Sequence, residues 1–251
     1  MKILIVTVAG LSSRFSQSIG CPCLKCIYHK KDIRESLLYR ILRDNPQADR
    51  YVIVGGFRFD ELKEVIGRDF GEFRDKILLI QNEKYEEYGS GYSLYMGLKA
   101  IKNLEFEEVV FAEGDLWVDE ESCQKIWESP RDVITCNREP ILASKSVAFY
   151  YDGNYHIHYI FDTNHFMLEI KEPFRGIFNS GQIWKFVQHD RVIDAMESLS
   201  EKEWSQTNLK FVQKYFGALD REEYEMIEFS KWINCNTVED FEKIKDEEKP
   251  Q

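Results

Sequence analysis

Short, continuously apolar, β-rich runs alternate with helical periods through the first half of this chain, and that alternation restricts it to architectures in which helices cover a sheet. Lys2 to Val8 is one such run, Tyr51 to Val54 closed by Gly55-Gly56 a second, Ile77 to Ile80 a third, and Val109 to Ala112 a fourth. Between them apolar residues recur at helical spacing: Leu37, Leu38, Ile41 and Leu42 within Arg34 to Arg43, then Phe59, Leu62, Val65 and Ile66 in a helix expected to end at Gly67, then Leu94, Tyr95, Leu98 and Ile101 within Tyr92 to Ile101. Asp119 to Trp127 opens on acidic residues and reads as another helix. Strands without polar alternation are buried on both faces, and strands alternating with helices predict a parallel sheet covered on both sides. Ligands of such sheets sit beyond the carboxyl ends of the strands. The loops after the first and fourth strands are therefore where chemistry is expected.

The second half has a different texture. Val147 to Tyr151, the turn Asp152-Gly153-Asn154 and Tyr155 to Phe161 read as a β-hairpin. Phe166 to Ile170 and Gly181 to Phe186 read as further strands of an antiparallel extension, and His156, His158 and His165 fall on it as surface or strand-face residues. Helices are expected near Arg191 to Leu199 and Leu209 to Leu219, and a last strand over Trp232 to Cys235. Thr237 is placed to cap a final helix, with Asp240 in the capping-box position, and Asp246 to Gln251 is a polar, frayed end. The expected class is α/β, a mostly parallel sheet with an antiparallel extension. One domain is expected over residues 1–251, its first half spanning residues 1–140 and its second residues 141–251.

Charge narrows the partners. The formal net charge of −11 repels nucleic acid, whose binding rests on neutralising phosphates. An anionic small substrate needs a local cluster of cations, backbone N–H groups and metal to overcome the field. No apolar run reaches membrane-spanning length, so no membrane partner is expected. Ile3 to Ala9 is too short for a signal-peptide core, so the mature chain is expected to begin near Met1 and stay in the cytosol. Cys21, Cys23, Cys26 and His29 read C-x-C-x2-C-x2-H. That spacing is tighter than a zinc knuckle and no second C-x2-C faces it, so reduced thiols are expected.

The first strand runs into Ala9-Gly10-Leu11-Ser12-Ser13-Arg14-Phe15, with Lys25 further along the same loop. A turn of small residues lets backbone N–H groups meet oxyanions, and Arg14 offers a planar fork for phosphate. An ordinary strand-to-helix turn with a solvated Arg fits the same residues. Neither the Walker A pattern nor G-x-G-x-x-G is present. The segment resembles the opening A-A-G-x-G/S-x-R of nucleotidyltransferases with a GT-A-like, Rossmann-related fold. These include sugar-phosphate nucleotidylyltransferases, molybdenum-cofactor nucleotidyltransferases and phosphocholine cytidylyltransferases. The resemblance implies a three-layer Rossmann-like sandwich, nucleotide contacts at Ala9, Gly10, Ser12 and Ser13, and phosphate binding by Arg14. The family's lysine, commonly in P-K, corresponds to Lys25 in Pro22-Cys23-Leu24-Lys25, two residues late.

Three further segments follow in the family's order. Glu113-Gly114-Asp115 ends the fourth strand, and Asp115 resembles the family's metal-binding Asp; Mg²⁺ takes one or two carboxylates plus substrate phosphates and water. Asp119, four residues on, reads as a helix cap. Gln81-Asn82 followed by Ser90-Gly91-Tyr92-Ser93 resembles the base-contacting loop and implies Gln81, Ser90, Gly91 and Ser93 as nucleotide contacts. Asn234-Cys235-Asn236-Thr237-Val238-Glu239-Asp240 resembles the late D-V-N/D-T-P-E-D segment, which makes Asn236 the second metal ligand, although Asn replaces an acid at both positions 234 and 236. Lys171-Glu172-Pro173 and Asn179-Ser180-Gly181 resemble the acceptor-side E-K-P and N-S/T-G segments, with Lys and Glu reversed. They imply Lys171, Glu172 and Asn179 as acceptor contacts.

The implied reaction uses Mg²⁺ and moves a nucleoside monophosphate, CMP or UMP favoured, from CTP or UTP to a small phosphorylated acceptor such as a sugar phosphate or phosphocholine, a step in making precursors of cell-surface polysaccharide or lipid. Arg14, Lys25 and Asp115 are the catalytic residues of that reading, and it leaves a homo-oligomer open. An ionised acceptor phosphate needs no protein nucleophile, which agrees with the lack of a Ser-His-Asp or Cys-His pattern. A GT-A glycosyltransferase wants D-x-D after the fourth strand, which Asp115-Leu116-Trp117 does not give. A silent nucleotide-binding relative is disfavoured by the presence of Arg14, Lys25 and Asp115.

Overall fold

In the first strand successive side chains enter two different cores. The computed structural model describes residues 1–161 and 166–248. Within β1 (Lys2–Val8), Ile3 and Ile5 pack in one apolar cluster and Leu4 and Val6 in another, and all four are fully buried. The period of two therefore sends alternate residues to opposite faces, each contributing roughly 1.5–3 kcal/mol on burial. Such a strand is stable only between two helical layers.

Along the chain follow α1 (Ser13–Ile19), α2 (Leu37–Arg43), β2 (Arg50–Gly55), α3 (Phe59–Asp69), β3 (Ile77–Gln81), α4 (Ser90–Ile101), β4 (Glu108–Glu113), β5 (Leu116–Val118), α5 (Glu120–Glu128) and β6 (Asp132–Asn137). The second part contains β7 (Ala148–Asp152), β8 (Ile157–Ile160), β9 (Phe174–Phe186), α6 (His189–Glu197), α7 (Glu201–Trp204), α8 (Leu209–Phe216), β10 (Tyr224–Glu228), β11 (Trp232–Asn234) and α9 (Val238–Glu247). The sheet runs in the order β10-β6-β9-β4-β1-β2-β3, with the β7–β8 hairpin joined to it through β9. β1 pairs in parallel with both β2 and β4, and β3 extends the parallel part, while β9 runs antiparallel between β4 and β6. One helical layer contains α4, α6 and α8, and the other α2, α3 and α5. This is the expected α/β sandwich with a mostly parallel sheet and an antiparallel extension.

Each expected strand and helix of the first half is present, but α2 starts at Leu37 rather than Arg34 and α3 continues past Gly67 to Asp69; Thr237 with Asp240 forms the capping box of α9. Asp119 caps α5, accepting the Ser122 N–H at 3.0 Å. Phe166 to Ile170 differs from expectation, because it forms no strand. Phe166 has a φ of 70° and Met167 is exposed. Leu168 and Ile170 instead satisfy their alternation by packing on Tyr150 and Ile160 of the hairpin. The apolar pattern was real, but its partner is a side-chain face rather than a strand edge. His165 lies outside the described residues. β6 and β10 were not foreseen; both are short and interrupted by polar residues, and their pairing partners are distant in sequence.

Gly114 is the tightest point in the junction between β1 and β4. Its N–H donates to the Thr7 carbonyl at 3.0 Å, and a Cβ there would lie 2.2 Å from Val8 Cγ1 and 2.8 Å from Thr7 O. Gly114→Ala should cost about 1–3 kcal/mol by overpacking. Gly10→Ala, which has open space around it, should stay within about 0.5 kcal/mol. Urea midpoints at constant m-value read both, and equal midpoints for the two variants would contradict this account of the junction.

Candidate functional site

Both loops singled out by the sheet order open into one cavity of about 340 Å³. The turn after β1 supplies Ala9, Gly10 and Ser12, and the turn after β4 supplies Glu113, Gly114 and Asp115. Ser12 takes a left-handed φ of 54°, uncommon for a residue with a Cβ. The conformation is held from both sides, because Ser12 O accepts the Ser16 N–H at 2.8 Å and Ser12 Oγ accepts the Lys25 N–H at 3.2 Å. Phe15 is buried against Tyr28, with ring centroids 5.1 Å apart, and orients α1 from below.

Lys25 begins a single 3-10 turn, Lys25–Ile27. Leu24, Cys26 and Ile27 are buried in the core, so the turn is anchored on its apolar side chains and the Lys25 side chain is left to the cavity. Its Nζ lies 3.1 Å from Asp115 Oδ2. The second carboxylate oxygen, Asp115 Oδ1, is buried and has no hydrogen-bond partner. A buried acceptor of this kind wants a cation or a donor. The Asp115 carbonyl accepts the Cys235 N–H at 2.8 Å, which brings the Asn234-Cys235-Asn236 segment alongside. Asn236 donates Nδ2 to Asn234 Oδ1 at 2.7 Å, so the two amides form a pair there. Among the described residues no three His, Cys, Asp or Glu side chains converge. A hard cation here would be held by Asp115, with amide oxygens, phosphates and water completing the shell, a donor set suited to Mg²⁺.

Glu113 shares the cavity with Asp115, two residues apart on the same face of β4's end. Loss of water around its carboxyl and the neighbouring Asp115 charge push it up to about 7, opposed by the Asn208 amide and by Lys25. The opposite wall comprises Asn82, Tyr85 and Tyr88 with the start of α4. Asn82 is buried and donates to Ser93 Oγ at 2.9 Å.

Ala9, Gly10, Ser12, Lys25, Ser90, Ser93 and Asp115 thus meet around one space. Arg14 and Ser13 are exposed on α1 and do not line it; Gln81 is exposed at the end of β3, and Gly91 is buried where Trp204 and Thr207 carbonyls press on it. Lys171 is exposed beside Glu169, and Glu172 accepts the Tyr150 hydroxyl at 2.8 Å. Asn179 is buried in β9, donating to the Glu139 carbonyl at 3.3 Å. Sequence reasoning did not single out Thr7, Asn82, Tyr85, Tyr88, Glu113 or Asn208. For Glu113 the signal was present, since it is the last residue of the strand that leads into Asp115. Asn208 carries no local signal. All six cysteines are free thiols, and no helix among the described residues is long and apolar enough to cross a membrane.

Residues 21–248 match the family described as Domain of unknown function (DUF6564). No curated protein matches the chain in sequence. Among solved structures, the inositol-1-phosphate CTP transferase from T. maritima is similar, with a TM-score of 0.65 at 16% identity over 96% of this chain and 91% of that one. The CTP:phosphocholine cytidylyltransferase from Streptococcus pneumoniae gives 0.65 at 13% identity, covering 99% of both chains. A Bacillus anthracis protein described as a glucose-1-phosphate thymidylyltransferase gives 0.67 at 13%, covering 97% of this chain and 93% of that one. At these identities the likeness is one of fold, and the fold is the one that the Ala9 to Phe15 resemblance implied.

The Glu113 carboxyl gives a pH signature. Unfolded it releases its proton near pH 4.5, and folded near pH 7. Between those values the folded state holds a proton that the unfolded state has lost, so its stabilising contribution is complete below pH 4.5 and disappears as pH rises through 7. In metal-free buffer the stability of Glu113→Gln relative to the native chain should rise by about 1–3 kcal/mol across that window. Urea denaturation from pH 4.5 to 8 reads it, and a pH-independent difference would rule the shift out.

Proposed function

The chain belongs to the family described as Domain of unknown function (DUF6564), and we propose that its cavity carries out nucleotidyl transfer. A small phosphorylated acceptor attacks the α-phosphorus of an NTP, the bond from that phosphorus to the β-phosphate bridging oxygen breaks, and pyrophosphate leaves. The observation that carries this reading is the meeting of the Lys25 ammonium and the Asp115 carboxylate at 3.1 Å beneath the β1 turn. That is one cation and one metal-type ligand in the space where Gly10 and Ser12 offer backbone to phosphate.

The cavity residues divide the work. Lys25 stabilises charge on the reacting phosphate oxygens, in a recess where such interactions exceed their value in water. Asp115, with its unpartnered Oδ1 and with Asn236 close by in the chain's return, is the residue to hold Mg²⁺. When bound, that ion offsets the negative charge that builds on the phosphates. Arg14, exposed on α1, meets the outgoing pyrophosphate. Ala9, Gly10, Ser12, Ser90 and Ser93 hold the nucleotide, with Ser13, Gln81 and Gly91 in the adjoining backbone. The acceptor enters from the second half, where Lys171, Glu172 and Asn179 are assigned to it. Because the acceptor phosphate is already ionised, no side chain has to serve as nucleophile or as strong base. CMP is the favoured group and phosphocholine or a sugar phosphate the favoured acceptor, by analogy with the substrates that name the similar structures. The reaction would run in the cytosol, where NTPs are abundant.

Pyrophosphate release from CTP, UTP, GTP and dTTP, each with phosphocholine, inositol phosphate and sugar 1-phosphates, tests the proposal. One pair should give Mg²⁺-dependent release, and Lys25→Met and Asp115→Asn should each lower kcat/KM on the order of 10²–10³-fold. No release from any pair would refute nucleotidyl transfer. Release of a nucleoside diphosphate from a nucleotide-sugar would make the enzyme a glycosyltransferase instead.

A further inference from the structure

A segment of the second half, Ser205 to Asn208, is pressed against the start of α4 by direct backbone contact. The Gly89 N–H donates to Ser205 O at 2.8 Å and the Gly91 N–H to Gln206 O at 3.0 Å. A Cβ on Gly89 would lie 2.1 Å from Gln206 O, and one on Gly91 2.6 Å from Trp204 O. The two glycines are therefore required by this approach. Trp204 extends the attachment by stacking on Tyr95, with centroids 4.8 Å apart and planes 9° apart.

Asn208 closes the segment and is 1% exposed. Its backbone N–H donates to Ser90 Oγ at 3.2 Å, and its side-chain Nδ2 donates to Glu113 Oε1. Ser90 and Glu113 line the cavity on different walls, whereas Asn208 does not line it. Burying an amide at the head of a helix whose Leu209, Phe211 and Val212 enter the core is costly unless it is bonded. Here its donors go to two cavity walls that belong to different elements. We propose that Asn208 is a positioning residue, which fixes the Glu113 carboxyl beside Asp115 and ties that strand end to the nucleotide-side helix. The inference rests on the nucleotidyl-transfer reading of the cavity.

The two bonds respond differently to substitution. Asn208→Leu keeps the backbone N–H that holds Ser90 and removes the side-chain donor that holds Glu113. Nucleotide binding should therefore survive, while a Glu113 carboxyl no longer held in place next to Asp115, the proposed metal ligand, lowers turnover. Expected for Asn208→Leu is a fall in kcat of about ten- to a hundred-fold, with the KM for the NTP and the calorimetric Kd for CTP within about three-fold of the native chain. Leu209→Ala, which damages the same core without touching Glu113, should lower Tm and leave kcat per folded molecule unchanged. Should Asn208→Leu not fold, Asn208→Ala carries the same test, since it too keeps the backbone N–H and has no side-chain donor for Glu113. Native kcat in the Asn208 variants overturns the role. So does a loss of turnover that Leu209→Ala reproduces at equal Tm. Absence of pyrophosphate release by the native chain overturns the nucleotidyl-transfer reading itself and this role with it, whereas release by the native chain with unchanged Asn208 variants overturns the positioning role alone.

Discussion

The parallel pairing of β1 with β4 is the constraint on which the rest of the site depends. The register places Lys2 opposite Glu108 and Thr7 opposite Glu113. Each strand is buried on both faces, so a slip of one residue would send every side chain into the wrong core. That register brings the turn carrying Ala9 to Ser12 and the turn carrying Glu113 to Asp115 to one edge of the sheet. Lys25 and Asp115 are 90 positions apart in the chain, yet their approach needs only the short walk from β1 to the 3-10 turn anchored by Cys26 and Ile27. The hydrophobic pattern of the two strands thus does the long-range work, and the polar chemistry follows at little further conformational cost.

The second half braces this edge from two directions. On one side the chain returning through β11 pairs with β5 and places the Cys235 N–H on the Asp115 carbonyl. On the other, the Ser205 to Asn208 segment reaches Glu113 and the start of α4. Neither contact uses a nucleophile or a cluster of titratable groups. The first holds the Asp115 backbone through an N–H, and the second holds the Glu113 carboxyl through an amide. β9 makes the arrangement possible: it is long enough to pair with β4 along one part and with β7 along another, linking the hairpin extension to the central sheet.

How legible this was in the sequence follows from how local each signal is. β1, β2, β3 and β4 are continuous apolar runs, and α4 and α9 announce themselves by period or by a cap, so the parallel half could be read directly. β6, with polar Thr135 and Asn137 buried inside it, is stabilised by pairing with residues such as Trp184 and Lys185, far along the chain, and its own composition does not show that. At the site, Lys25 and Asp115 were legible because a short motif marks each. Arg14 belongs to the same motif but is exposed on α1 outside the cavity lining, while its neighbour Phe15 is buried. Asn82 was hidden beside Gln81, since only the geometry at the strand end decides which of two adjacent amides turns inward. Asn208 was out of reach altogether, because its meaning lies in two contacts, to Ser90 and Glu113, that no spacing encodes.

Electrostatics then decides what form of substrate suits this cavity. The chain carries a formal charge of −11, and the Asp115 carboxylate, with Glu113 pushed up to about 7 beside it, stands at the cavity against the Lys25 ammonium. A bare triphosphate meets repulsion both from the general field, which decays over about 8 Å at physiological ionic strength, and from this carboxylate at close range. A triphosphate that arrives already bound to a divalent cation carries less negative charge and brings a counter-ion that Asp115 Oδ1 is free to meet. On the proposed reading the unpartnered Asp115 Oδ1 would be the point at which such a cation is recognised. An acidic protein can in this way accept a polyanion without a basic patch, by reading the metal complex rather than the phosphate alone. On the nucleotidyl-transfer reading the acidic composition is no obstacle to a small nucleotide, because the attraction is confined to the few ångströms between the β1 turn, Lys25 and Asp115.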